Sequence, residues 1–509
     1  MGALVEPGAD RRWDPPAVHR QVAARVALYR RLGMGAADRV FLHHGNTLEF
    51  FADLLAIWSL GGCAVPIDPR LTGFEVEALA RAASPRLSIW RGTPDRAIRE
   101  GLGALGVALV ESPGDDLAAE GTSASSSDGE PAARDGDALI LFTSGTTGQP
   151  KGVVHTHRTL LARWAALRLH LGTEAFRRTL CVLPTHFGHG LICNALYPWL
   201  AGQDLYVLPP FRPDVLMRLG AIVDSCDITF LSSVPTMWRL VLRTARPPGA
   251  GCLAQVFCGS APLSAQLWAS IQEWAGTRNV WNVYGMTETA SWMAGASAAE
   301  SGPEDGLVGE PWGGTFRIQE SDASGSAPVA EECAPGQPGA VWVRTPALMR
   351  GYLNADDLTA RAVSHGWLAT GDVGFRDDRG RLHLCGRRGE EINKGGMKIH
   401  PADVEAVVER FNHTIDACAF AYDDPLHGQD VGIAVVLDRD DADARRALYE
   451  WARRHLAQHR TPQRWYVLDE IPRNANGKPD RAAVARRCAG LPPADLRGGG
   501  RVIPSRARG

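Results

Sequence analysis

Lysine is scarce in this chain. Of its 54 basic residues only four are lysine, and the other 50 (54 minus 4) are arginine. Because such an arginine bias is most simply genomic composition, a position that keeps lysine is a candidate for chemistry needing a compact ammonium on a flexible stem. Lys151, Lys394, Lys398 and Lys478 all lie in or beside glycine-rich or turn segments. Each is therefore a candidate functional residue, although such turns are also common surface features.

Other absences exclude whole classes of protein. The sequence has no apolar run of about 18 residues, and its first residues include prolines and acids where a signal peptide needs an apolar stretch. Its ten cysteines form no CxxC pair and no zinc-type spacing, which favours free thiols in a reducing compartment. The net charge of −3 leaves no basic footprint for nucleic acid. We expect a cytoplasmic protein with no membrane span and no nucleic-acid partner.

The length of 509 residues predicts two or more domains, because one hydrophobic core rarely extends beyond about 300 residues. From about residue 36 to residue 285, short apolar runs alternate with helical patterns, which is typical of βα units around a parallel sheet. The predicted strands are 39–45, 63–67, 138–142, 180–184, 204–209, 228–235, 254–259 and 279–285, and the predicted helices include 159–171 and 264–275. The fold class is therefore α/β, with a large N-terminal domain.

Later segments have a different pattern. The Ser/Gly/Asp-rich stretch 111–137 predicts a connection, and 339–384 predicts short strands joined by turns. After residue 389 the pattern indicates a small α+β unit, with a helix at 401–411 and a strand at 432–437. The Gly/Arg/Pro-rich tail from 492 to 509 is predicted to be disordered.

The segment TSGTTGQPKG, from Thr143 to Gly152, follows a predicted strand directly. Its glycines allow backbone N–H groups to turn inward, while hydroxyls and one ammonium can surround a polyphosphate. It is not a Walker loop, because it lacks the GxxxxGK[ST] pattern. Alone, this segment is a weak indication of a phosphate-binding loop. The predicted strand before it and the sequence GVVHTH after it strengthen that interpretation.

The loop resembles the phosphate-binding motif of the adenylate-forming superfamily, which includes acyl-CoA synthetases, aryl and coumarate ligases, luciferases and peptide-synthetase adenylation domains. Further motifs of that superfamily follow in order: GSAPL (259–263), NVYGMTE (282–288), WLATGD (367–372), GRRGEEINKGGMKIHPADVE (386–405) and NANGK (474–478). The resemblance implies a large multi-subdomain ATP- and acid-binding domain (1–386) and a small mobile domain (387–491) carrying a catalytic lysine.

Matching these motifs residue by residue implies the following roles. Tyr284 stacks on adenine, Asn282 faces its edge, Thr287 meets a phosphate, Glu288 holds Mg²⁺, and Asp372 accepts both ribose hydroxyls with support from Arg387. Lys478 is the catalytic cation that reaches the substrate carboxylate and the α-phosphate, assisted by Thr287 and Glu288. The remaining ATP-binding candidates are Thr143, Ser144, Gly145, Thr146, Thr147, Gly148, Lys151, Gly259, Ser260, Ala261 and Gly285.

The acid-binding segment reads PTHFGHGL (184–191). Amino-acid-activating relatives place an Asp where this chain has Phe187, and a buried ammonium without a carboxylate partner is strongly disfavoured. An acid without an α-amine is therefore expected. The segment resembles the PxFHxHGL pattern of acyl-CoA and malonyl-CoA synthetases with aromatic and histidine exchanged, so His186, Phe187 and His189, together with Gly285, are the substrate-binding candidates. Aryl, fatty and short dicarboxylic acids all remain open.

Two departures from the superfamily pattern concern the second half of its reaction. Relatives usually have Lys or Asp at the hinge position, which is Gly389 here, and luciferase-like members often have a lysine at Gly395. Gly395 and Gly396 are candidates to line a tunnel for the pantetheine thiol. Lys394 and Lys398 either border that tunnel or are solvated charges.

The resemblance implies an AMP-forming acid–thiol ligase that uses ATP, Mg²⁺ and a carboxylic acid, with coenzyme A as the expected acceptor. The alternative acceptors are a separate carrier protein and an amine, the latter as in amide-forming relatives of specialised metabolism. A nucleotide-binding homologue without catalysis is a third alternative, disfavoured by the joint presence of Thr147, Lys151, Glu288, Asp372, Arg387 and Lys478.

Overall fold

The computed structural model describes residues 1–115, 133–143, 151–210, 212–320, 332–388, 390–394, 397–425, 428–474 and 477–496, with the backbone alone at 398. Most of the predicted connection 111–137, and residues 497–509 of the predicted tail, lie outside these ranges. The backbone N–H of Ala494 donates to Trp465 O at 2.7 Å, and Leu496 is buried. The chain is therefore packed at least as far as Leu496.

The first part of the chain forms the elements β1 (Leu4–Glu6), β2 (Arg11–Trp13), α1 (Pro15–Arg31), β3 (Arg39–His43), α2 (Leu48–Ser59), β4 (Cys63–Pro66), α3 (Gly73–Ala83), β5 (Leu87–Trp90), α4 (Arg96–Ala104) and β6 (Ala108–Glu111). The middle part forms β7 (Asp137–Thr143), β8 (Lys151–Thr156), α5 (His157–Leu171), β9 (Arg178–Cys181), α6 (Tyr197–Leu200), β10 (Asp204–Val207), α7 (Pro213–Leu216), α8 (Leu219–Ser225), β11 (Phe230–Ser233), α9 (Pro235–Thr244), β12 (Gln255–Gly259), α10 (Ala265–Ala275), β13 (Val280–Met286), β14 (Ser291–Ser297), α11 (Ala298–Ser301), β15 (Leu307–Pro311) and β16 (Thr315–Gln319). The last part forms β17 (Gly339–Arg344), β18 (Gly351–Tyr352), α12 (Asp356–Ala362), β19 (Val363–Ser364), β20 (Trp367–Arg376), β21 (Leu382–Arg387), β22 (Ile392–Lys394), β23 (Met397–Ile399), α13 (Pro401–Glu409), β24 (Thr414–Asp424), β25 (Gly428–Leu437), α14 (Ala442–His455), β26 (Arg464–Val467) and α15 (Arg481–Ala489). Short 3-10 turns occur at Pro7–Ala9, Glu174–Phe176 and Thr287–Thr289, and a π-helical segment at His189–Leu196 leads into α6.

The strands form three sheets. A 7-stranded sheet has the order β18-β8-β7-β4-β3-β5-β6, and a 14-stranded sheet runs β16-β17-β20-β21-β15-β14-β13-β12-β11-β9-β10-β1-β2, with β19 paired to β20. A 5-stranded sheet, β23-β22-β25-β24 with β26 beside β25, is made entirely from residues after Arg387. The predicted α/β class is confirmed, with parallel βα units in the large sheets and a small α+β unit after them. The domain bounds 1–386 and 387–491 stay a prediction.

The parallel strands β11, β12 and β13 bring three predicted segments to one edge of the large sheet. Their register pairs Ser233 with Cys258 and Gly259 with Val283, so their carboxyl ends meet. β11 and β12 are buried along their whole length, as is typical of strands inside a parallel sheet. The GSAPL segment begins with the last residue of β12, and the YGMTE segment begins within β13 and continues into the turn after it.

Predicted element bounds differ from the structure by a few residues. The strand predicted at 180–184 ends at Cys181, because the carbonyl of Leu183 accepts from Asn46 Nδ2 at 2.9 Å instead of from a neighbouring strand. Helix α5 begins two residues before its predicted start, where Thr156 caps it by accepting from Thr159 N. No helix within the described ranges combines the length and apolar character needed to cross a bilayer.

Candidate active site

The predicted phosphate loop spans the turn between β7 and β8. Thr143 and Lys151 lie opposite each other in this antiparallel pair, so the two ends of the loop are held in register. The candidates Ser144, Gly145, Thr146, Thr147 and Gly148 lie outside the described residues. Lys151 Nζ lies 5.8 Å from the centroid of the Tyr352 ring, which places its ammonium on an aromatic face.

Tyr352 also contacts the predicted metal ligand. Its hydroxyl donates to Glu288 Oε1 at 2.8 Å, and burial together with the nearby Glu288 charge raises the pKa of this phenol. Tyr352 thus connects Lys151 and Glu288, although the sequence analysis did not select it. No local sequence signal marks it, because its place in the site depends on the pairing of β18 with β8.

Thr287 and Glu288 lie in a 3-10 turn after β13, and this turn is anchored at both residues. The carbonyl of Thr287 accepts from His155 Nε2 at 2.7 Å, and the carbonyl of Glu288 accepts from Met349 N at 2.8 Å. Because a carbonyl can only accept, His155 carries its proton on Nε2. His155 was not selected from the sequence either. Its place in GVVHTH after the loop was the signal.

Tyr284, Asp372 and Arg387, which come from separate motifs, contact one another, and their roles toward the nucleotide stay a prediction. The Tyr284 hydroxyl donates to Asp372 Oδ2, and Arg387 Nε donates to Asp372 Oδ1 at 2.9 Å. Burial, followed by the adjacent Asp372 charge, holds the pKa of Tyr284 well above its usual value. Asp372 and Arg387 are opposite each other on β20 and β21. A carboxylate fixed in this way can accept hydrogen bonds from a vicinal diol.

The other candidates on β12 and β13 lie beside this group in different environments. Asn282 is buried, and its Nδ2 donates to the carbonyl of Leu307 at 2.7 Å. A Cβ at Gly259 would lie 2.3 Å from Val283 O, and one at Gly285 would lie 2.0 Å from Ser291 O. Glycine at both positions is therefore required by strand packing. Ala261 follows Ser260 in the GSAPL loop.

Lys478 reaches this site from the small C-terminal unit. Its turn is closed by hydrogen bonds between Asn474 and Lys478, and Gly477 has a φ of 76°. Burial and then the Arg387 charge lower the pKa of Lys478, whereas Asp372 and Glu288 oppose that change. Beside this lysine, the carbonyl of Gly477 accepts from Thr236 Oγ1 of the large unit at 2.8 Å, so the lysine turn contacts the large unit.

The acid-binding candidates split into two environments. His189 is buried, with Nδ1 2.7 Å from Ser260 Oγ and Nε2 2.6 Å from Ser232 Oγ. Burial lowers its pKa to about 3, so it is neutral near neutral pH. It fixes Ser260, whose φ of 68° is unusual for a residue other than glycine. Ser232 was not selected from the sequence, because a buried strand serine has no local signal.

His186 and Phe187 are half-buried at the other end of the same segment. His186 Nε2 lies 3.4 Å from Asp68 Oδ2, and the ring of Phe187 lies 6.0 Å from that of His189. A Cβ at Gly188 would lie 3.9 Å from Thr287 Oγ1. The segment 186–189 therefore runs beside the Thr287–Glu288 turn, and its acid-binding role stays a prediction.

The thiol-side candidates are only partly described. Gly389, Gly395 and Gly396 lie outside the described residues, as does the side chain of Lys398. Lys394 Nζ forms a 2.6 Å ion pair with Asp430 Oδ1, and both side chains are buried. Lys394 is thus an ion-paired, buried residue and not a solvated charge, and its place beside a thiol tunnel stays a prediction.

Comparisons with known proteins agree with this geometry. Residues 18–353 match the AMP-binding enzyme family, and residues 403–478 match the AMP-binding enzyme C-terminal domain. A Humulus lupulus protein named "Probable CoA ligase CCL9" is 30% identical over 475 residues, covering 89% of this chain and 87% of that protein. A sulfoacetate–CoA ligase of Cupriavidus necator is also 30% identical, over 89% of this chain and 88% of that protein.

Solved structures share the fold over nearly the whole chain. The ATP-bound MatB of Rhodopseudomonas palustris superposes with a TM-score of 0.84 at 23% identity, covering 96% of both chains. The expectation of an acyl-CoA synthetase-like ligase that uses ATP is confirmed at this level. The chain belongs to the AMP-binding enzymes, the adenylate-forming superfamily.

Proposed function

We propose that this protein joins a carboxylic acid lacking an α-amine to coenzyme A in two steps, through an acyl-adenylate with release of pyrophosphate. The observation that carries the proposal is that the Lys478 turn of the small unit contacts the large unit, where Thr236 Oγ1 donates to Gly477 O at 2.8 Å, while the charges of Glu288 and Asp372 act on Lys478. Asp372 would accept hydrogen bonds from the ribose, Glu288 would hold Mg²⁺, and the Lys478 ammonium would stabilise charge on the α-phosphate. This combination suits attack of a carboxylic acid on the α-phosphate of ATP.

In the first step, an oxygen of the acid attacks the α-phosphorus and the bond to the pyrophosphate leaving group breaks. Negative charge on the phosphoryl oxygens changes most in the transition state, so a positioned ammonium lowers the barrier rather than merely binding substrate. Lys478 is the residue for that role. Asp372, held by Tyr284 and Arg387, would accept the ribose hydroxyls.

Glu288 is the residue that would hold Mg²⁺. One of its oxygens accepts from Tyr352, and Mg²⁺ commonly takes one or two protein carboxylates and completes its shell with phosphates and water. Among the described residues, no group of three or more His, Cys, Asp or Glu side chains is arranged to hold a metal ion. The phosphates of ATP and water would therefore supply the other ligands of Mg²⁺. The ion would neutralise the pyrophosphate charge.

In the second step, the thiol of coenzyme A attacks the acyl carbon, the thiol proton leaves, and AMP departs. The lengthwise similarity to proteins named CoA ligases supports this acceptor over a carrier protein or an amine. Around the uncharged side chains of His189, Phe187 and His186, the carboxylate in contact is Asp68, which is already paired with Arg70 and is not free to bind an α-ammonium.

Ten free thiols support a cytoplasmic location, which fractionation would test.

The test is acid-dependent ATP–pyrophosphate exchange with fatty, aryl, dicarboxylic and sulfonated acids. Acids that support exchange are then incubated with coenzyme A or with amines, and products are identified by mass spectrometry. A thioester is the expected product, and an amide would replace the proposed acceptor. If no acid in a broad set supports Mg²⁺-dependent exchange by the folded enzyme, the proposal is wrong.

A further inference from the structure

Helix α9 of the large unit contacts the turn that carries Lys478. Thr236 and Arg239 are three residues apart and therefore lie on one face of the helix. Met237, Trp238 and Val241 on the other side are buried in the core of the large unit. The contacting face is thus a fixed surface against which the small unit is positioned.

Arg239 joins the two units through acids of the small unit. Its Nη2 donates to Glu409 Oε1 at the end of α13, and its Nη1 lies 3.5 Å from Asp416 Oδ1 on β24. The Arg239 side chain is 17% exposed and that of Asp416 is 11% exposed. Charged pairs this sheltered from water are more strongly coupled than exposed pairs, and breaking one leaves an uncompensated charge.

Arg473 carries this contact to the lysine turn. Its Nη2 donates to Asp416 Oδ2, while its Nη1 lies 2.9 Å from both Thr236 Oγ1 and Gly477 O. Thr236 Oγ1 itself donates to Gly477 O at 2.8 Å. The residue immediately before Lys478 is therefore held by one side chain from each unit.

We propose that Arg239 and Arg473 are positioning residues that hold Lys478 over the α-phosphate during adenylation and have no part in thioester formation. The chain Arg239–Asp416–Arg473–Gly477 links a rigid helix of the large unit to the backbone of the lysine turn. This role rests on the proposed function, since it assigns the contact to the first of its two steps.

A second ion pair across the same boundary provides a matched control. Arg410 of the small unit pairs with Asp305 of the large unit, and Arg410 has no contact with the lysine turn among those described. The Arg410 side chain is 46% exposed, so its loss is expected to cost little. Arg410→Gln should loosen the boundary between the units while keeping the contacts that hold Gly477. The contacts that hold Gly477 should be weakened by three variants: Arg239→Met, Arg473→Met and the milder Thr236→Val.

The first measurement needs no acid substrate, because the chain has only four lysines. Competitive lysine acetylation across a pH series, read by mass spectrometry, gives the titration midpoint of Lys478 in the whole enzyme. We expect a depressed midpoint in the wild type and in Arg410→Gln. In the three releasing variants the midpoint should rise by about half a pH unit or more towards the ordinary lysine value of about 10.4.

The second measurement separates the two half-reactions. With an acid found by the exchange screen, Arg239→Met and Arg473→Met should slow exchange by about ten- to a hundredfold, because small displacements of a catalytic group are costly. Thioester formation from a chemically prepared acyl-adenylate should stay within about twofold. Thr236→Val covers the case in which an arginine variant does not fold.

Equal losses in both half-reactions, equal losses in Arg410→Gln, or an unchanged Lys478 midpoint in folded releasing variants would each overturn the positioning role. If the wild type activates no acid, the proposed function fails, and the acetylation series still decides whether α9 positions Lys478.

Discussion

Acidification should destabilise this enzyme partly through one buried histidine, His155. This residue lies on β8 beside the Thr287–Glu288 turn, where Nδ1 is 3.1 Å from Thr159 Oγ1 and Nε2 is 2.7 Å from Thr287 O. Burial, with a smaller effect of the nearby Arg163 charge, lowers its pKa from 6.5 to about 4. The folded protein therefore resists the protonation that the unfolded chain accepts.

The sign follows from linkage. A histidine whose pKa is lowered by folding adds stability above its unfolded pKa, and this stability is lost as the pH falls from about 6.5 towards about 4. At about 1.4 kcal/mol per pH unit, the free energy of unfolding should fall by about 2 kcal/mol between about pH 8 and about pH 5 from His155 alone. His43, His186 and His189, with pKa values lowered by burial to about 3, 4 and 3, should add to the wild-type loss.

The assay is urea unfolding at about pH 8 and about pH 5, followed by the fluorescence of the 15 tryptophans. His155→Gln should lose about 2 kcal/mol less than the wild type between the two conditions. His170→Gln, at an exposed position in the last turn of α5, is the control and should behave as the wild type does. If His155→Gln loses as much stability as the wild type, burial of a neutral His155 does not contribute in this way.

Three further predictions concern the candidate active site. Lys478→Ala should retain ATP binding by calorimetry but lose exchange activity by at least about a hundredfold, because it removes a charge used in the transition state. Asp372→Asn should raise the KM for ATP about tenfold or more, whereas Tyr284→Phe, which leaves the carboxylate in place, should have the smaller effect of one hydrogen bond. Glu288→Gln should raise the Mg²⁺ concentration required for half-maximal exchange by about tenfold, because a neutral amide is a weaker ligand for this hard cation.

The outcomes that contradict these predictions differ from one variant to the next. Near-normal exchange by Lys478→Ala would assign the catalytic cation to another residue. An unchanged KM for ATP in Asp372→Asn would remove this carboxylate from nucleotide binding, and an unchanged Mg²⁺ requirement in Glu288→Gln would remove Glu288 from the metal site. Arg486→Ala, on the exposed face of α15, is a control for all three.

The parts of the fold that the sequence predicted well are those with strong local signals. The strands β7 and β12 follow from their apolar runs, and α10 follows from its apolar spacing. Strand ends were less accurate, as at Cys181. There the chain leaves the sheet because Asn46, more than a hundred residues earlier, donates to the carbonyl of Leu183 two residues further on.

The sequence by itself identified the family, which the comparisons confirm, and its motifs supplied the residues that we propose act on the nucleotide. The tertiary structure decided which partners the side chains contact: Tyr352 with Glu288, His189 with Ser260, and Lys394 with Asp430. It also placed Arg239 beside the small unit that carries Lys478. These contacts join residues distant in sequence, and their energy depends on burial and distance, which no local pattern encodes.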